Sequence, residues 1–170
     1  MTNPHRRSGI KMLVIAWLLI FGGLYWFFAG WEARENNPNT ATALNLSAGE
    51  VVLQRNRAGH YVAAGEINGE AVTFLVDTGA TQVALSSELA RDLGLKLNSR
   101  VTVQTANGAA SGYSTRLDSV RLGAIELRDV GAVVTNGIDG DTVLLGMSFL
   151  QRLEFTQRAG QLILRPAQKL

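Results

Sequence analysis

The hydrophobic pattern divides the chain in two. Residues 12–31 read MLVIAWLLIFGGLYWFFAGW, an apolar run without a single charge. From Glu50 onward the apolar positions come in short runs separated by Gly, Asn, Asp and Ser. The first pattern predicts one long helix, whose 20 residues would span ~30 Å, the thickness of a bilayer's hydrocarbon core. The second predicts strands punctuated by turns. Strands are expected at 51–53, 60–67, 71–76, 101–105, 113–117, 120–123, 125–130, 143–145, 153–155 and 162–164. Asn68-Gly69 and Asn107-Gly108 are two-residue hairpin signals, because both positions of such turns require positive φ. Ser86 is expected to cap a helix over 87–93, with Glu88 in its first turn and Gly94 as its stop. Residues 146–152 read as one or two helical turns. The fold class is therefore all-β: a small closed barrel of about 120 residues with one or two short helices, preceded by one transmembrane helix.

The flanks of the apolar run orient it. Arg6, Arg7 and Lys11 precede it, and only Arg34 is basic between its end and Arg55. That asymmetry places the N-terminus in the cytoplasm and the remainder on the opposite side. The competing reading is a cleavable signal peptide, whose apolar region should run ~7–15 residues and end in a small-x-small site. Here the run is longer, and Tyr25, Trp26, Phe27, Phe28 and Trp31 fill the place of that site. Residues 32–49 are polar, small and unpatterned, as in a flexible linker. The organisation expected is a basic cytoplasmic tail (1–11), a transmembrane anchor (12–31), a linker (32–49) and a folded domain (50–170). That domain would lie outside the cytoplasm, on the periplasmic side of the inner membrane in a Gram-negative cell.

Composition narrows the chemistry. The 170 residues carry a formal charge of +2, and the pI is about 9.3. From Glu50 to the end there are 12 basic and 12 acidic residues, so the folded part is neutral. A nucleic-acid partner would require basic residues concentrated there. The chain has no cysteine, which excludes disulfides, thiolate zinc sites and a cysteine nucleophile. Its length excludes a two-lobed enzyme of ~300 residues.

The stretch most informative for chemistry is Phe74-Leu75-Val76-Asp77-Thr78-Gly79-Ala80-Thr81. An apolar strand runs straight into a carboxylate and then a turn, which would hold Asp77 partly buried on a rigid support. Asp is also common as a plain turn starter, so the tripeptide alone leaves both readings open. The context is wider. GHYVAAGEINGEAVTFLVDTGATQVALSSELARDLGL, then TANG, then VLLGMSFLQRLEF, resembles the bacterial membrane-anchored retropepsin-like (clan AA) aspartic proteases over nearly all of the region after Glu50.

That resemblance implies a single-lobed acid-protease barrel. Asp77 matches the catalytic aspartate, and Thr78, Gly79 and Ala80 its active-site loop. Ala106, Asn107 and Gly108 match the flap over the substrate. Leu144, Leu145 and Gly146 match the element beneath the loop, followed by a helix over 148–152. It implies an endopeptidase acting on proteins or peptides, with neither metal nor cofactor. Aspartic proteolysis uses two carboxylates sharing one proton. Of the six Asp residues, only Asp77 lies in an Asp-Thr/Ser-Gly triplet. The second carboxylate is therefore expected from a second copy, in a homodimer with the site on its axis. The rival reading is a catalytically silent peptide-binding module of the same fold; a carboxylate glycosidase would need a second well-placed acid.

Other polar residues read as structural. His60 has no second histidine in the domain to pair with. Asp139 and Asp141 lack the further ligands of a calcium loop. Ser86 and Ser87 have no accompanying base. Tyr113 either lines the flap or covers the sheet.

Overall fold

The computed structural model describes residues 4–39, 49–105, 108–138 and 140–167. They form two compact units, residues 1–36 and 37–170. The first is the helix α1 (Pro4–Asn36). Its segment Lys11–Trp31 is long and apolar enough to cross a membrane, and none of it is buried. Aromatic rings pack along it, Trp17 on Phe21 at 5.5 Å and Phe28 on Trp31 at 6.3 Å between centroids.

The second unit is mostly strand: β1 (Val51–Gln54), β2 (Val62–Ile67), β3 (Glu70–Val76), β4 (Val83–Leu85), β5 (Arg100–Thr105), β6 (Gly108–Leu122), β7 (Ile125–Thr135), β8 (Thr142–Leu145), β9 (Leu153–Arg158) and β10 (Gln161–Pro166). Two short helices interrupt them, α2 (Ser87–Asp92) and α3 (Met147–Leu150). Six strands in the order β2-β3-β8-β4-β7-β6 close into a barrel, because β6 also pairs with β2 at Val120↔Ile67. Strand β5 extends this sheet along the first half of β6. Apolar side chains fill the interior, with Phe74, Ile67, Leu85, Leu117, Leu145 and Phe149 at or near zero exposure. The first and last strands form a separate three-stranded sheet, β1-β10-β9.

Local chemistry accounts for most boundaries. Asn68 and Gly69 take φ of 53° and 89°, the mirror-image turn that joins β2 to β3. Ser86 accepts a hydrogen bond from the Leu89 amide at 3.1 Å and so caps α2. Gly94, at φ 62°, follows the helix end.

Four expectations need correction. Residues 113–117 and 120–123, read as two strands, are one 15-residue strand, β6. Buried positions fall at Gly112, at Thr115 and Leu117, then at Val120 and Leu122, so the inward face changes parity again around Asp118. Opposite this point Asp129 has φ of 56°, and the pairing of β6 with β7 keeps the same register on either side. Strand β7 runs five residues past the expected 130, to Thr135. Helix α3 begins at Met147 and ends at Leu150, rather than covering 148–152. Finally, the segment 32–49 is not a uniform linker. Helix α1 reaches Asn36, and Asn39 is buried within the second unit.

Asn39 is held by nearly all its polar atoms. Its amide nitrogen donates to the carbonyls of Gln54 (2.8 Å) and Val62 (2.7 Å), and its Oδ1 accepts the Gln54 amide at 2.6 Å. Its own carbonyl accepts the Ala64 amide at 3.2 Å. One side chain thus satisfies the edges of β1 and β2 together, and the folded unit begins before residue 40. Asn39→Ala is expected to lower stability by about 2–4 kcal/mol, since it orphans three backbone groups. Chemical denaturation of the full chain checks this, and a change within ~0.5 kcal/mol would refute the bridging role.

Candidate active site

Strand β3 carries the chain into Asp77. It pairs in parallel with β8, Val76 opposite Leu145. On its other side the Val76 amide donates to the Tyr61 carbonyl at 2.9 Å. One residue later the Asp77 amide donates to the Leu145 carbonyl at 3.2 Å. The aspartate therefore sits where a central strand ends, with its backbone fixed from both sides.

The loop then folds back on its own carboxylate. The Gly79 amide donates to Asp77 Oδ1 at 2.8 Å, and the Ala80 amide to the Asp77 carbonyl at 3.3 Å. A Cβ at Gly79 would lie 3.1 Å from Asp77 Oδ1, so glycine lets the amide approach. An amide donor to a carboxylate is charge-assisted and fixes the rotamer. Asp77 is half-buried, while Thr78, Gly79, Thr81 and Gln82 are exposed. A carboxylate held in this way can accept a proton from water or a substrate at the surface.

Beneath the loop lies the turn from β8 into α3. Leu144 is half-buried, and Leu145 and Gly146 are buried. A Cβ at Gly146 would fall 2.2 Å from the Gln82 carbonyl oxygen and 2.7 Å from that of Ala80. Only a bare backbone fits there. The next two amides use the approach: Met147 donates to the Ala80 carbonyl at 2.8 Å and Ser148 to the Thr81 carbonyl at 3.0 Å.

The expected site residues thus fall into two groups. Asp77 is hydrogen-bonded to Leu145 and the Ala80 carbonyl lies against Gly146, with Thr78 and Gly79 exposed in the turn between them. Of the expected flap, Ala106 and Asn107 lie outside the described residues, as does Asp139. Gly108 opens β6, where it pairs with Thr105 at φ 106°. His60 is exposed in the turn before β2, where its amide donates to Asn56 Oδ1 at 2.9 Å. Tyr113 points outward, 43% exposed. Ser86 and Ser87 border a cleft of about 360 Å³ with Glu88, Arg91, Asn136 and Ile138, which Asp77 does not line. Ser87 Oγ donates to Asn136 Oδ1 at 2.5 Å. Sequence reasoning assigned no part to the Ser148 hydroxyl; the signal was a single polar residue in the apolar run Met147-Ser148-Phe149-Leu150.

Comparison with known proteins identifies the family and the fold. The pattern of the family described as "gag-polyprotein putative aspartyl protease" matches residues 63–152. The crystal structure of a retropepsin-like aspartic protease from Rickettsia conorii is similar with a TM-score of 0.59 and 38% identity, covering 69% of this chain and 91% of that one. An uncharacterised protein from the cobV 5′ region of a Sinorhizobium species is 42% identical over 134 residues, or 75% of this chain. An uncharacterised protein of Rickettsia prowazekii (strain Madrid E) is 37% identical over 113 residues, or 65% of this chain. The chain spans 58% and 48% of the length of these two relatives.

The Gly146 contact yields a direct test. Gly146→Ala is expected to cost at least ~2 kcal/mol of stability, because backbone on both sides must shift. Thermal unfolding of the full chain measures it, and an unchanged melting temperature would contradict the close approach.

Proposed function

We propose that this chain, which belongs to the retropepsin-like aspartic protease family, hydrolyses peptide bonds with a water held between two Asp77 carboxylates, one from each of two copies. The observation that carries the reading is Asp77 itself, half-buried at the end of β3 with Oδ1 bound by the Gly79 amide. The deprotonated carboxylate takes a proton from the water, whose oxygen attacks the peptide carbonyl. The protonated carboxylate hydrogen-bonds the carbonyl oxygen and then supplies a proton toward the leaving amine. Two carboxylates in close contact cannot both ionise, so each takes one role.

A single chain offers one such carboxylate in an Asp-Thr-Gly setting, and its loop is exposed at Thr78, Gly79, Thr81 and Gln82. A second copy covers that loop and completes the pair. In this reading Thr78 and Gly79 brace the loop. Leu144, Leu145 and Gly146 support it from below, and the hairpin around 106–108 closes over the substrate. The apolar segment Lys11–Trp31 serves as the anchor. The basic residues before it favour a cytoplasmic N-terminus and substrates exposed on the opposite face. Confining two chains to one membrane raises their effective concentration for pairing.

The test uses the full-length chain in detergent micelles with a diverse peptide mixture, read by mass spectrometry. The parent is expected to cleave, and Asp77→Asn to lose at least ~10²-fold in rate. Specific activity is expected to rise with chain concentration over the range in which dimers form. Equal cleavage by parent and Asp77→Asn would overturn the assignment of Asp77. Concentration-independent cleavage by a monomer would overturn the shared site. A folded dimer that binds peptides without cutting them would establish the silent binding module instead.

A further inference from the structure

We propose that Ser148 is a positioning residue for Asp77, acting through the exit of the active-site loop. Its hydroxyl takes the place of the first rung between β4 and β7. The inference rests on the reading of Asp77 as the reacting carboxylate.

The strands β4 and β7 run parallel, with Val83 opposite Ala132. In a parallel ladder the bonds are slanted, so the Val83 amide is directed toward the carbonyl before Ala132, that of Gly131. The Ser148 hydroxyl stands between these two groups. It accepts the Val83 amide at 2.9 Å and donates to the Gly131 carbonyl at 2.7 Å. The donor and acceptor capacities of one hydroxyl are both used, and the start of the β4–β7 pair is held apart by one oxygen.

The same residue grips the loop a second time, through its backbone amide on the Thr81 carbonyl at 3.0 Å. Ser148 thus binds residues 81 and 83 on either side of Gln82. The upstream end of this loop is Asp77, tied to Leu145 through its amide. Both ends of the loop are therefore referenced to one short segment, 145–148. A direct Val83–Gly131 bond in the absence of the hydroxyl would draw β4 toward β7 by as much as ~2 Å. Displacements of ~1 Å in a reacting group are large on the scale of catalysis.

The experiment compares the parent with Ser148→Ala and Ser148→Thr in the full-length chain in detergent micelles. Two readouts are taken: amide hydrogen exchange over residues 77–85 and 130–134, and steady-state cleavage of a peptide that the parent cuts. Ser148→Ala is expected to exchange the Val83 amide roughly 10-fold faster, with the β9–β10 hairpin unchanged. Its kcat is expected to fall ~10–100-fold with KM within about threefold. Ser148→Thr, which restores the hydroxyl, is expected to recover both. Unchanged exchange at Val83 in the alanine variant overturns the proposal. So does faster exchange throughout the domain, faster exchange with kcat intact, or a threonine variant that behaves like alanine. If parent and Asp77→Asn are both inactive, the peptidase reading fails on its own, and the exchange comparison still decides whether the hydroxyl orders the loop.

Discussion

Everything around Asp77 depends on how closely the backbone at Gly146 approaches the backbone of Ala80 and Gln82. A glycine at that one position brings two backbone segments together where any side chain would separate them. With the gap closed, the amides after Gly146 reach the carbonyls of Ala80 and Thr81, and the Leu145 carbonyl reaches the Asp77 amide. The loop is thus held from below by backbone donors and acceptors, which have no rotamers to lose. Its upper surface remains exposed. A carboxylate on such a support is placed chiefly by the strand that delivers it and by its own turn.

How much of this was legible in the sequence varies with how local the cause is. The Asn68-Gly69 turn, the Ser86 cap and the Asp-Thr-Gly turn each depend on a few adjacent residues, and each was readable. Strand β4 was not read: its three residues, Val83–Leu85, are buried on both faces and lack the alternation that marks a half-exposed strand. The length of β6 was misread because its buried face changes parity around Asp118, which in one dimension resembles a turn. The positive φ of Asp129 on the opposite strand is likewise invisible to a reading of β6 alone. At the candidate site, the turn that follows Asp77 was legible from its motif. Its anchors are mostly main-chain carbonyls from distant segments, and a carbonyl carries no residue-specific signal.

Asn39 illustrates the same limit from the other direction. It lies in a polar stretch whose composition reads as solvent-exposed, yet it is 1% exposed. Burying an amide side chain is unfavourable unless its donors and acceptors find partners. The unpaired edges of β1 and β2 supply them. The gain arises only when both sheets are present, so no local pattern announces it.

The terminal sheet bears on the order in which this domain forms. Its first strand, β1, pairs with its last, Val51 with Leu164. Among the described residues that edge of β1 is paired by β10, so the sheet waits for β10 to be synthesised. Contacts of such high sequence separation close late, because the loop entropy must be overcome before the pairing rewards it. A nascent chain would present β1 as an open edge throughout that interval, and protection of that edge falls to whatever attends the emerging polypeptide.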